Sequence, residues 1–167
     1  RIARAADDAA GLGVAENLKA SHRSADVAAR NVNDGISLIS VAEGATNEVA
    51  NILVRLRELA IQSASETLAT TERGYIQDET DQLVSEIGRI AAVTEFNGVS
   101  LSDGSLSSID VQVGIQNTAD DRITVSFGGA SASNLGITGA TVATITGAQA
   151  AIATLDTAIS TLSTVRE

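Results

Sequence analysis

At 167 residues and 44% hydrophobic content, the chain is long enough for one domain and too apolar to be disordered by composition. Its 21 acidic and 11 basic residues leave a formal net charge of -10, which argues against DNA or RNA as a partner, because phosphate binding needs clustered Lys and Arg. The lack of cysteine excludes disulfides and thiolate metal sites, and no apolar run is long enough for a transmembrane helix.

Proline is absent and aromatic residues make up 2%, so any core must be built from Leu, Ile, Val and Ala. Residues 1–65 are rich in good helix formers and predict one long helix. About sixty helical residues would span roughly 90 Å, which suits architecture better than a catalytic cavity. Val32, Ile39, Ala42, Val49, Leu53, Leu56 and Ala60 recur at helical spacing, and Ile36, Ile52 and Leu59 widen the stripe. Gly11, Gly13, Gly35 and Gly44 weaken the helix by about 1 kcal/mol each relative to Ala and permit close approach of a second backbone. The chain starts at Arg1 inside one helical pattern and ends at Glu167 inside another, which predicts a fragment trimmed at both ends.

Glu66–Thr71 reads as a turn in which Thr70 or Thr71 caps the next helix, with Glu72 near its positive end. Residues 72–93 predict a second helix with a seam of Ile76, Thr80, Leu83, Ile87 and Ile90, folded back antiparallel on the first. Residues 94–128 predict a loop and a β-hairpin. The loop, Thr94–Ser105, holds the turn pairs Asn97-Gly98 and Asp103-Gly104; the strands are Ser108–Ile115 and Asp121–Phe127. Residues 129–147 lack a clear period and predict a short loop with an irregular turn around Leu135–Ile137. Residues 148–166 predict a last helix with a seam of Ala148, Ile152, Leu155, Ile159 and Leu162. The expected fold is therefore mainly α, a single domain over 1–167. It is an elongated rod of two long N-terminal-side helices in an antiparallel hairpin plus a C-terminal helix, with a small β-hairpin between.

Candidate chemistry is sparse. His22, the sole histidine, lies four residues before Asp26 on one helix with no nucleophile motif nearby, and reads as a solvated helix histidine. Asp7 and Asp8, and the cluster of Asn31, Asn33 and Asp34, fall within a helical pattern and lack a calcium-loop arrangement. Asp110, Asp120 and Asp121 around the hairpin are better placed for adventitious cation binding. Gly11-Leu12-Gly13 is not a dinucleotide fingerprint, since the third glycine and a preceding strand are missing. The amphipathic stripes do not suit a membrane surface in an acidic, Lys-poor chain. No catalytic, cofactor or metal residue is assigned, and no enzyme activity is expected.

The segments RAADDAAGLGVAENLKA, RNVNDGISLISVAEGATNEVANIL, RLRELAIQSAS and TEFNG, in this order and spacing, strongly resemble the conserved core of bacterial flagellin. The closing AAIATLDTAISTLSTVRE resembles the start of the flagellin C-terminal conserved region. The resemblance implies a structural subunit of the flagellar filament, exported through the flagellar type III apparatus without a cleaved signal and polymerised below a cap for swimming motility. It also implies a helical middle domain with a β-hairpin, here without large variable outer domains, since about twenty residues stand where these are inserted. Other flagellin subunits, export proteins and cap proteins are the partners implied, with neither nucleic acid nor membrane insertion. The resemblance further places Arg55, Leu59 and Glu79 in the patch recognised by the vertebrate Toll-like receptor for flagellin. Arg55 and Leu59 are four apart on one helix, and an antiparallel turn centred near Thr67 sets Arg55 level with Glu79. The alternative reading is a flagellin-like binding protein or adhesin displayed at the cell surface.

Overall fold

The computed structural model describes residues 9–165. Its elements, in chain order, are α1 (Ala9–Ser63), α2 (Thr70–Val93), β1 (Glu95–Phe96), β2 (Val99–Ser100), β3 (Ser108–Gln112), β4 (Arg122–Ser126) and α3 (Ile145–Val165). The mainly α fold expected from the sequence is the one observed. The expected helical start before Ala9 and the last expected helical residue lie outside the described residues. The chain divides into two compact units. One takes the described residues up to Ser37 with Ile109–Val125; the other takes Leu38–Ser108 and the described residues from Ser126 onward.

In the second unit, α1, α2 and α3 share one apolar core. Val49, Leu53, Leu56, Leu59 and Ala60 of α1 meet Ile76 and Ile87 of α2 and Ala148, Ala151, Leu155, Ala158 and Leu162 of α3. The buried positions of α1 step by three and four through Thr46, Val49, Leu53, Leu56, Ala60 and Ser63. The predicted stripe drifts off this face toward the N-terminus. Leu38 is buried, whereas Ile36 and Ile39 are exposed. Leu38, Val49 and Ala60 lie eleven residues apart, three whole turns of an unsupercoiled helix, so a heptad extrapolated backward rotates off the core. The other two seams also differ in detail. Leu83 and Ile90 of α2, and Ile152 and Ile159 of α3, are half-buried. The central line of α3 uses alanine at 151 and 158, which lets the helices approach, and the larger isoleucines flank the contact.

Residues 64–69 reverse the chain. The expected threonine cap is not formed: Ala69 occupies the cap position without a side-chain hydrogen bond, and Thr70 and Thr71 already lie within α2. Arg73 instead ties the turn together. Its Nε donates to Ser63 O at 2.9 Å, Nη1 to Leu68 O at 2.6 Å and Nη2 to Ser65 O at 2.5 Å. The Ser63 carbonyl belongs to the end of α1, where the last C=O groups lack intrahelical partners and the dipole favours a cation; those of Ser65 and Leu68 belong to the turn itself. The run of α3 is set by Ser63 Oγ, which donates to Val142 O at 2.5 Å, and by Gln77 Oε1, which accepts from Val142 N at 2.6 Å. Arg57 Nε then reaches Asp156 Oδ1 at 2.6 Å, so α3 runs antiparallel to α1.

The expected loop after α2 contains a short hairpin. β1 and β2 pair antiparallel, with Glu95 opposite Ser100 and Phe96 opposite Val99. Asn97 (φ 50°) and Gly98 (φ 78°) form the two-residue connection. Leu101 N donates to Thr94 O at 3.0 Å, and Ser102 O accepts from Ala130 N at 2.8 Å, docking this hairpin on the segment before α3. There Leu135 and Ile137 turn inward around Gly136 (φ 70°), where an irregular turn was expected.

β3 and β4 form the second two-stranded sheet, shorter than the predicted strands. Val113 N and Gly114 N both donate to Asp121 O, at 2.8 and 3.0 Å, and Phe127 N donates to Ser107 O at 2.9 Å, an antiparallel order. In the first unit Asn31 Nδ2 donates to Gln112 O at 3.1 Å. Beside it Gly35 lies under Val111: a Cβ at 35 would stand 3.3 Å from Val111 Cγ2. Gly35 thus admits a side chain, not the second backbone expected there, and Gly13 and Gly44 face open space where a Cβ would stand.

Candidate functional site

The reversal between α1 and α2 brings two sequence-selected residues together. Arg55 Nε and Nη2 donate to Glu79 Oε1 at 2.9 and 2.7 Å, and Arg55 Nη1 reaches Glu58 Oε2 at 3.3 Å. Both side chains remain roughly half exposed, at 48% and 43%. The hydrogen bonds that Arg55 donates to Glu79, and secondarily to Glu58, push the pKa of its guanidinium above the ordinary value. The level placement of Arg55 and Glu79 is thus present. Leu59 is not part of the exposed surface. It is 1% exposed and packs in the core of the second unit. Four residues advance a helix by about 400°, leaving Leu59 about 40° around the axis from Arg55. Arg55 stands at the rim of the seam, and that rotation carries Leu59 inward.

The other candidates stay dispersed. His22 Nδ1 lies 3.2 Å from Asp26 Oδ2, both widely exposed on one helix face. Asn31 holds β3, and Asn33 Nδ2 donates back to Ala29 O at 2.9 Å, so both have structural partners. Asp110 Oδ1 accepts from Thr124 Oγ1 at 2.6 Å, bridging β3 and β4. Asp121 accepts from Thr118 Oγ1 within the connecting loop, and Asp120 is exposed. Asp7 and Asp8 lie outside the described residues. Among the described residues no group of three or more His, Asp or Glu is placed to hold a metal ion. No helix of the described residues is long and apolar enough to cross a membrane. An open groove of about 420 Å³ in the first unit is lined by residues such as Ser24, Val27, Asn31, Gln112 and Ile115, none of which titrates.

Sequence reasoning passed over Arg73, Ser63 and Gln77, the polar groups that organise the turn and the entry to α3. A signal existed for Arg73: it lies three residues before Ile76, in line with the seam through Ile76 and Thr80. The charge of its head group obscured that placement, although a long side chain buries its stem and presents its donors at the tip.

The family model for the bacterial flagellin N-terminal helical region matches residues 1–107. Flagellin of Halalkalibacterium halodurans is 50% identical over 114 residues, covering 68% of this chain and 42% of that protein. Flagellin of Clostridium tyrobutyricum is 43% identical over 150 residues, covering 87% of this chain and 40% of that protein. The chain therefore spans about two fifths of these relatives. The crystal structure of Bacillus cereus flagellin superposes with a TM-score of 0.70 at 31% identity, covering 82% of this chain and 78% of that one.

Proposed function

The chain belongs to the bacterial flagellin family, and we propose that it is the core of a structural subunit of the flagellar filament. The observation that carries this reading is the match to the crystal structure of Bacillus cereus flagellin over 82% of the chain at 31% identity. The mechanism is mechanical. Interlocked helices resist bending, and exposed side chains along them pack against other flagellin subunits in a helical lattice. The subunit acts as a structural element and not as an enzyme: it transmits torque for swimming while the chemistry resides elsewhere. On this reading the chain reaches the extracellular flagellum through the flagellar type III apparatus and is added beneath a cap. A decisive experiment is immunogold electron microscopy of the source cells, with antibodies raised against this chain. Labelling along the filaments is expected. Filaments free of label would refute the proposal, and label confined to the cell surface would point to a surface-displayed binding protein.

The receptor-recognition patch is part of the same proposal. Arg55 and Glu79 supply a charged, solvent-facing pair for the vertebrate Toll-like receptor. Leu59 contributes from below, by fixing the helix that carries Arg55. Binding of the receptor ectodomain should fall on Arg55→Ala and Glu79→Ala while the helical circular dichroism stays unchanged. A wild-type chain that fails to bind, or variants that bind equally well, would remove the patch from the proposal.

A further inference from the structure

We propose that Asn97 is a site of spontaneous deamidation that the closed β1–β2 turn holds inert and that opening of the turn releases. The inference concerns covalent chemistry of the backbone and stands apart from the filament reading. Asn97 is the only asparagine in the chain followed by glycine. Both residues are exposed, and the space a Gly98 side chain would occupy is open for at least 4 Å. Water and base therefore reach this peptide.

The reaction needs only water. The Gly98 backbone nitrogen, having lost its proton, attacks Cγ of Asn97. A new C–N bond closes a five-membered imide, the bond from Cγ to Nδ2 breaks, and ammonia leaves with the proton. Water then adds to one of the two imide carbonyls. Opening on one side yields aspartate, and on the other isoaspartate, whose backbone is longer by one carbon.

Ring closure requires the Cα–Cβ bond of Asn97 and the C–N bond to Gly98 to lie nearly eclipsed. The native turn forbids this. Positive φ at both central residues of a two-residue hairpin identifies a type I′ turn. Its first residue is left-handed, with ψ near about +47°, which sets those two bonds about 170° apart. The nitrogen thus points away from the carbon it must attack. Reaction demands that the turn open, and what resists opening is a ladder of two residue pairs together with the docked residues Leu101 and Ser102. Once isoaspartate forms, the added backbone carbon no longer fits a two-residue connection, and the pairing of Phe96 with Val99 is lost.

The test follows the purified chain in mildly alkaline buffer, native and in guanidinium chloride, with tandem mass spectrometry of the tryptic peptide between Arg89 and Arg122. That peptide also contains Asn117, which precedes threonine and serves as an internal reference. Conversion at Asn97 should be at least about tenfold slower in the native chain than in denaturant, as expected for a reaction gated by local opening. In denaturant it should outpace conversion at Asn117. Val99→Pro, which removes the ladder N–H opposite Phe96, should raise the native rate toward the denatured one while the helical circular dichroism is retained. Equal native and denatured rates, or no excess over Asn117 in denaturant, would overturn the proposal.

Discussion

Replacing Arg73 by methionine keeps most of the side-chain stem and removes all three donors of the turn. Ser63 is fully buried, so its carbonyl would be left without a partner at a cost of about 1–3 kcal/mol. The carbonyls of Leu68 and Ser65 lie in part-buried bonds and can recover water, adding about 0.5–1 kcal/mol each. Relief of guanidinium desolvation offsets part of this loss, which favours a net destabilisation of about 3 kcal/mol. For a chain of this size that corresponds to a fall in melting temperature of about 6–12 °C. Thermal unfolding followed by circular dichroism and calorimetry measures it. Arg73→Lys should recover only part of the loss, because a single ammonium cannot reproduce the planar fork that serves three carbonyls. Arg89→Met is the control: its exposed pair with Glu86 sits on one helix and should matter little. A methionine variant that melts with the wild type, or a lysine variant that fully restores it, would refute the account of the turn.

Leu53→Ala should cost about 2–5 kcal/mol, since Leu53 is wholly buried, and Leu83→Ala should cost clearly less; denaturant titration distinguishes them. Gly44→Ala, in an open position on α1, should stabilise by about 0.5–1 kcal/mol. Gly129→Ala should destabilise, because its Cβ would lie 1.5 Å from Asn134 Nδ2 and 2.9 Å from Gly104 Cα; parallel thermal melts read both signs. The Asp103 carboxylate accepts from Ser105 Oγ and N, which holds it below the usual carboxylate range. A lowered folded value means that its contribution is complete above the unfolded value of about 3.9 and is lost as pH falls through the folded value. Asp103→Asn should therefore flatten the acid limb of the stability profile, and an unchanged limb would contradict the assignment.

The long helices were legible because their apolar periodicity persists over many turns and no proline interrupts it. The β3–β4 pair was legible from alternation over five or more residues. Strands of two residues carry no alternation, so β1 and β2 were hidden although the Asn97-Gly98 turn pair was visible. The level placement of Arg55 and Glu79 followed from simple symmetry about a short turn. The burial of Leu59 did not, because a shared helix face in sequence spans enough rotation to include both rim and core. Arg73 was hidden for a different reason. Its partners are backbone carbonyls of a turn, and side-chain pattern alone does not say where those point.

The polar groups in the three-helix unit also set alignment. The seams of α1 and α3 repeat by threes and fours, and a slip of one heptad would again set apolar side chains against apolar side chains. Hydrophobic burial alone discriminates weakly between such arrangements. Ser63 meets the Val142 carbonyl, Gln77 meets the Val142 N–H, and Arg73 closes on Ser63, Ser65 and Leu68. The two Val142 pairings exist at one register of α3 only, and a slip would leave the buried Ser63 hydroxyl without its partner, while Arg73 fixes the α1–α2 turn beside them. They act as a vernier on a nearly repetitive scale. In the filament proposed above, one subunit repeats many times and needs identical dimensions, and these few hydrogen bonds near one turn would help to keep the length of the unit the same in every copy.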